Sequence, residues 1–261
     1  MHANAPILLI ASGTSSRAAP TYGLLENACR ARFPDRDIYW AFSSDRVREL
    51  ALERSGAALP SPPEVLDSLS GSGHREVVVQ PVHLICGEEF HHVVRAGRAA
   101  ELSVRLGMPL ISGPDDISGI AAVVAGSADP SPNAATLVVG HGTHHPSGMV
   151  YDLLGRHLQD RLGDKIRMGV LTGHPDIDAA ISGLASGGFR RVRLIPLMLV
   201  AGAHARKDID GDREGSVRRR LEAKGITVET WLTGLLEEPA VVGIFCDHLA
   251  NAMASKAFGN E

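Results

Sequence analysis

Twelve histidines are spread through a chain of 261 residues, and two of them stand where an imidazole can meet a metal ion. His141 lies in Gly140-His-Gly-Thr-His144 directly after an apolar run, and His204 ends Gly202-Ala-His204 shortly after another. Imidazole nitrogen is a borderline-soft donor suited to divalent cobalt, nickel, iron or zinc, and a catalytic site keeps positions open beside its protein ligands. A neutral histidine also accepts protons near neutrality, so one pair can release an ion and collect protons. Most histidines do neither. His83, inside an apolar run, is expected to be a buried hydrogen-bonder, and His91 and His92 open a helix with one of them facing solvent. Cys29, Cys86 and Cys246 are far apart and lack any Cys-x-x-Cys spacing, so neither a thiolate site nor a disulfide framework is expected.

The elements that must position these residues follow an alternation of short apolar runs with longer stretches of helical period. That pattern predicts a mainly parallel sheet covered by helices. In the first half, strands are expected at Ile7–Ala11, Asp37–Ala41, Glu76–Pro81 and Met108–Ile111, with helices at Pro20–Phe33, Asp45–Ser55, Pro63–Ser70, Glu88–Leu106 and Asp115–Gly126. In the second, strands are expected at Ala135–Val139, Ile166–Leu171, Val192–Leu197 and Thr227–Trp231, with helices at Ser147–Leu162, Pro175–Ser186, Arg213–Lys224 and Pro239–Ser255. Gly126-Ser-Ala-Asp-Pro-Ser-Pro-Asn133 concentrates turn formers, buries almost nothing and predicts a linker between an N-terminal half, 1–128, and a C-terminal half, 134–261. The expected fold class is α/β, two pseudo-symmetric domains, each a mainly parallel four-stranded sheet flanked by helices.

The symmetry is visible as a repeat. Ile10-Ala-Ser-Gly-Thr-Ser15 resembles Val139-Gly-His-Gly-Thr-His144, and Val79-Gln-Pro-Val-His-Leu-Ile-Cys-Gly-Glu-Glu89 resembles Leu194-Ile-Pro-Leu-Met-Leu-Val-Ala-Gly-Ala-His204. The matches come in the same order, as expected of a duplicated βα module; Ser12 then corresponds to His141 and Glu89 to His204. In open parallel sheets ligands bind outside the carboxyl ends of the strands, where both motifs fall. Ser12, Gly13, Thr14 and Glu89 in one half, and His141, Gly142, Thr143 and His204 in the other, are therefore the candidate binding residues. Glu88 and Glu89 offer carboxylates for guiding a cation or taking protons, although acidic residues at a helix start are also favoured by its dipole.

Several classes are excluded. No Gly-x-Gly-x-x-Gly or Gly-x-x-x-x-Gly-Lys-Ser/Thr follows a first strand, so no nucleotide is expected, and no Gly-x-Ser-x-Gly elbow marks a hydrolase. A formal net charge of -4 gives no basic excess for nucleic acid. No apolar stretch approaches the roughly 18 residues of a membrane span. The first apolar run, Pro6 to Ala11, is too short for a leader and lacks a basic flank, so a cytoplasmic location is expected. No interface stripe marks an oligomer, and a homo-oligomer is compatible with the sequence.

The run Ala41-Phe-Ser-Ser and then Val78-Val-Gln-Pro-Val-His-Leu-Ile-Cys-Gly-Glu-Glu-Phe90 resembles the first half of the anaerobic sirohydrochlorin cobaltochelatases, a class II chelatase family. Gly140-His-Gly-Thr-His, Tyr151, Pro196-Leu-Met-Leu-Val-Ala-Gly-Ala-His-Ala205 with Asp208, and Gly234-Leu-Leu-Glu-Glu-Pro-Ala resemble its second half. The resemblance implies a tetrapyrrole substrate bound between two similar domains, and it implies that His141 and His204 match the family's metal-binding histidines. It implies insertion of a divalent ion, Co²⁺ first and Fe²⁺ or Ni²⁺ as alternatives, into sirohydrochlorin or a relative without ATP. A non-catalytic tetrapyrrole or metal carrier is the alternative outside catalysis. The family's second-half glutamate is replaced by Thr172 in Leu171-Thr-Gly-His-Pro175, with His174 near enough in sequence to serve as a third ligand. Ala203 stands where the family has aspartate, Lys207-Asp208-Ile209 where it has Asn-Asp-Met, and Ser216-Val217 where it has Ser-Trp. Arg206 and Lys207, and less directly His144 and His145, are placed to meet substrate carboxylates, whereas the basic run Arg213 to Arg220 is expected to be a solvated helix face.

Overall fold

The apolar run at the start of the chain becomes β1 (Ile7–Ala11), with all its residues buried, as expected for a strand covered on both faces. It is followed by α1 (Tyr22–Arg32), β2 (Ile38–Phe42), α2 (Asp45–Ser55), α3 (Pro62–Gly71), β3 (Glu76–Val82), α4 (Glu88–Ala99) and β4 (Ser103–Leu106). The computed structural model describes residues 4–14 and 18–257. These strands make a parallel sheet in the order β2-β1-β3-β4. Alternate residues Leu8, Ile10, Val77 and Val79 pack with Val65, Leu66 and Leu69 of α3 and Val93 of α4, one face of the sheet against the apolar stripes of two helices.

The second sheet repeats the first. After α5 (Pro114–Ser127) come β5 (Ala134–Thr143), α6 (Met149–Leu162), β6 (Ile166–Gly173), α7 (Ile177–Ser186), β7 (Arg191–Leu197), α8 (Val217–Glu222) and β8 (Thr227–Thr230). The parallel order is β6-β5-β7-β8. Leu137, Val139, Val192 and Leu194 pack with Ile177, Ile181 and Leu184 of α7 and Val217 and Leu221 of α8. The final helix, α9 (Pro239–Ala254), buries Val241, Phe245, Cys246 and Leu249.

Strand register supports the repeat alignment. Ile10 lies opposite Ala41 and Pro81, and its counterpart Val139 lies opposite Gly169 and Pro196. Each proline sits where the next strand has already ended, since pairing with β4 stops at Val79 and with β8 at Leu194; the missing N–H costs no ladder bond there. Ser15, the end of the first copy of the glycine motif, lies outside the described residues.

Some expectations are corrected. The helix expected over Glu88–Leu106 ends at Ala99, and its tail is the strand β4 at Ser103–Leu106. Met108–Ile111 is not a strand: Pro109 has no N–H, and only an isolated bridge joins Ile111 to Ile85. Helical period alone cannot separate a helix from a short strand that follows it in phase. The helix expected from Pro175 starts at Ile177, because the Asp176 carboxylate accepts the Ala179 N–H at 2.7 Å as N-cap. Likewise Ser216 caps α8, so the helix expected from Arg213 begins at Val217.

The chain divides into one compact unit that runs to Ser112 and resumes at Val241, and a second unit, Gly113–Ala240. A boundary at the 126–133 turn would instead give α5 to the first unit and α9 to the second. Arg193 on β7 donates to the carbonyls of Ser127 and Ala128, and Asp129, buried, accepts from Ser131 and pairs with Arg191. In the first unit α9 is held by Arg32–Asp247 at 2.6 Å, by Arg105 donating to the Met253 carbonyl, and by Cys29 and Cys246, whose sulfurs are 4.0 Å apart. Residues 126 and 127 still belong to α5, and the turn that follows packs within the second unit. No helix among the described residues is long and apolar enough to cross a membrane.

Candidate functional site

β5 outruns its partner on one side. Pairing with β7 ends at Gly140, whereas pairing with β6 continues through Gly142–Thr172 and Thr143–Gly173. His141 is carried on this projecting end and is exposed. Gly142 has φ +80°, and a Cβ there would lie 1.9 Å from the Thr172 carbonyl oxygen; only glycine lets the two backbones approach this closely. Beneath it Tyr151 of α6 fills the space beside Gly140, where a Cβ would meet the ring at 2.6 Å. The Gly142 N–H donates to the Tyr151 hydroxyl, while burial pushes that phenol up to about 12.

His204 arrives by another route. After β7 the chain turns through 198–203 into a single π-helical turn, Ala205–Ile209. The loop is braced from the Gly234-Leu-Leu-Glu segment: Leu235 and Leu236 N–H groups donate to the carbonyls of Met198 and Leu199, and a Cβ at Gly234 would lie 2.7 Å from the Leu199 oxygen. The closing motif of the sequence thus holds the approach to His204.

The two imidazoles meet. Their ring centroids are 4.9 Å apart with planes at 84°. His204 Nδ1 is 2.6 Å from Asp208 Oδ2, and His141 Nδ1 is 3.2 Å from the Gly142 carbonyl oxygen. Carboxylate and carbonyl oxygens only accept, so each Nδ1 carries a proton, and neither Nε2 takes part in these contacts. Arg213 pairs with the other Asp208 oxygen and fixes the carboxylate. The sequence singled out both histidines; it attached no role to Asp208, although spacing of i and i+4 in a helical turn is a usable signal.

His174 is not brought to this pair. Its Nδ1 is 3.1 Å from an Asp152 oxygen on α6. The face of β6 that meets α6 carries Met168, beside Gly155, whereas Gly169 faces Ile177 of α7. His141 continues the Leu137 and Val139 face, which packs on α7 and α8. Among the described residues no three His, Cys, Asp or Glu side chains form a metal-holding group, so the expected third ligand is not assembled. Thr172 is simply the strand partner of Gly142.

The first unit has the same frame with other side chains. Ser12, Gly13 and Thr14 follow β1, and Gly13 has φ +91°. Its N–H donates to the Tyr22 hydroxyl, which burial also pushes up to about 12. Glu89 opens α4 and accepts a hydrogen bond from Ser43 at the end of β2; Glu88 is exposed. His83 is buried as expected, yet neither ring nitrogen has a hydrogen-bond partner among the described residues. Burial lowers its pKa to about 4, so it stays neutral. His145 caps the turn at Pro146–Gly148, its Nδ1 accepting the Ser147 N–H, and His144 is exposed. The basic run is neutralised: Arg213, Arg218, Arg219 and Arg220 all pair with carboxylates.

Comparison with known proteins agrees with this frame. The chain is 32% identical to the sirohydrochlorin cobaltochelatase of Salmonella typhimurium over 254 residues, covering 95% of this chain and 96% of that one. It is also 32% identical to the sirohydrochlorin cobaltochelatase CbiKC of Nitratidesulfovibrio vulgaris over 260 residues, 95% and 90% of the two chains. In fold it matches SirB from Bacillus subtilis with Fe3+, at TM-score 0.65 and 16% identity over 95% of each chain. The cobalt chelatase (CbiK) family model matches residues 5–254, and the chain belongs to that family.

Proposed function

We propose that this protein inserts a divalent metal ion, Co²⁺ first, into sirohydrochlorin or a close tetrapyrrole without nucleotide, and that His141 and His204 present the ion. The observation that carries the reading is the imidazole pair with each Nδ1 turned to an oxygen and each Nε2 left free. Two neutral nitrogen donors hold a divalent ion without cancelling its charge, which suits a site that must give the ion up. As the ion enters the macrocycle, ring N–H protons must leave. Each imidazole that has released the ion regains an Nε2 lone pair that can take one. Asp208 then stabilises the cation formed on His204, the usual role of a carboxylate behind a working imidazole. Gly142 and Thr143 line the strand ends beside the pair as backbone floor for the macrocycle, and Ser12, Gly13, Thr14 and the Glu89 carboxylate stand at the equivalent strand ends of the other unit.

The test is anaerobic incubation of the protein with sirohydrochlorin and Co²⁺, Fe²⁺ or Ni²⁺, following the change in the tetrapyrrole spectrum. Cobalt insertion well above the spontaneous rate is expected, with His141→Ala and His204→Ala each reduced by about a thousandfold, some 4 kcal/mol of transition-state stabilisation. Spontaneous rates with every ion would leave the chain a carrier, and activity retained in both variants would remove the histidines from the reaction.

A further inference from the structure

Outside the histidine pair, the first unit has a cavity of about 450 Å³ at the carboxyl end of its sheet. It lies where Ser43 leaves β2, where α2 and α3 begin, and beside the second turn of α4. Arg48 lines it from α2, and His92 and Arg95 from α4; Ser43 and Ser61 also line it, their hydroxyls donating to Glu89 and Glu64. Neither the His92 nor the Arg95 side chain has a hydrogen-bond or ion-pair partner among the described residues. Arg48 is prepositioned: one nitrogen donates to the Phe42 carbonyl at 2.8 Å and another to Asp45 at 2.5 Å. Asp45 is the single acid lining the cavity and is 82% exposed, so water screens it. The N-termini of α2 and α3 lie at the same place, the first capped by Ser44 and the second by Glu64.

We infer that this cavity is a carboxylate-binding site that receives an acidic arm of a polycarboxylate tetrapyrrole, with Arg95 and Arg48 as the cationic contacts. The inference rests on the proposed function for the identity of the ligand; the cavity and its charges stand independently of it. Guanidinium groups converging from two helices match a planar carboxylate better than ammonium groups would. His92 and Arg95 lie one and two turns beyond Glu89 on the same helix, so an arm held here keeps the macrocycle on the strand-end side of the unit. The role is binding, not proton transfer.

The test is titration of metal-free porphyrins into the full-length protein, followed by porphyrin fluorescence. Uroporphyrin carries a carboxylate on every peripheral arm, and in coproporphyrin the acetate arms have become methyl groups. Arg95→Gln should weaken uroporphyrin binding by about tenfold, the usual worth of one charged hydrogen bond, and Arg95→Glu by more. Coproporphyrin should be affected less, and Co²⁺ affinity and the circular dichroism spectrum should not change. Uroporphyrin affinity equal in wild type and both folded variants would overturn the inference while leaving the proposed function intact. Failure of the wild type to bind either porphyrin or sirohydrochlorin itself would instead overturn the proposed function, and with it this ligand. Millimolar inorganic phosphate that abolished the Arg95 effect at constant ionic strength would assign the cavity to small free anions and overturn the macrocycle assignment.

Discussion

The two sheets of this protein have one topology, one register and one glycine turn, yet their strand ends carry different chemistry. Ile10 and Val139 occupy equivalent ladder positions, Gly13 and Gly142 both take positive φ, and Tyr22 and Tyr151 each receive the glycine N–H. Only in the second unit do the next positions become His141 and His204; in the first they are Ser12 and Glu89, the latter tied to Ser43. The difference teaches that the duplicated frame supplies placement and the side chains supply the task. One copy presents two imidazoles at its strand ends, while its sister presents a carboxylate and, further along α4, the Arg95 guanidinium, which has no ion-pair partner among the described residues.

The glycine turns give the sharpest way to break the equivalence. Gly142→Ala puts a Cβ 1.9 Å from a backbone oxygen at φ +80°, so a loss of about 4 kcal/mol is expected. Gly13→Ala meets only the side chains of Phe42 and Val47, at 3.0 Å, which can shift, and about 1 to 2 kcal/mol is expected. Denaturant midpoints measure both, and equal losses would mean that the two turns are under the same constraint.

The second contrast is His83 against its counterpart Met198. His83 is neutral and buried, with a pKa lowered to about 4 by desolvation, helped by the nearby His92. The unfolded chain binds a proton there below about 6.5 and the folded chain does not, so stability falls with pH from that value down to about 4. The loss is about 3 kcal/mol in all. His83→Met, which copies the other half, should abolish this acid sensitivity and change little at pH 7, as comparison of unfolding at pH 7 and pH 4.5 will show. An unchanged pH dependence would place the acid-labile group elsewhere.

Smaller effects separate the ligand pair from its surroundings. Asp208→Ala removes the acceptor that fixes the His204 tautomer, and Co²⁺ affinity measured by calorimetry should weaken by about ten- to a hundredfold. His174→Ala, which breaks only the contact to Asp152, should leave cobalt insertion within about twofold, as expected of an exposed polar contact. A large loss there would show that the loop after β6 reaches the ion during turnover.

Much of this arrangement was legible in the sequence because it depends on short-range signals. Asp45–Ser55 was bounded correctly since Ser44 caps it and Gly56 ends it in the left-handed region. The meeting of His141 and His204 followed from one inference, that ligands gather at strand ends, once β5 and β7 are neighbours. What stayed hidden depends on contacts distant in sequence or on exact phase. β4 merged with the period of α4, and the π-helical turn that joins His204 to Asp208 has no propensity signature. The face to which His174 belongs is decided by strand alternation that a loop proline obscures. The exchange of α5 and α9 between units is equally non-local, since it is carried by Arg193 and Arg105 reaching carbonyls far along the chain.

The central claim, that the second unit alone holds the ion and does so through two histidines, is tested most directly by locating Co²⁺ crystallographically from its anomalous signal in crystals soaked with the ion. The account predicts one peak within bonding distance of Nε2 of both His141 and His204, with no protein ligand from His174. A peak at His174 and Asp152, or at Glu89 in the first unit, with none at the histidine pair, would contradict it.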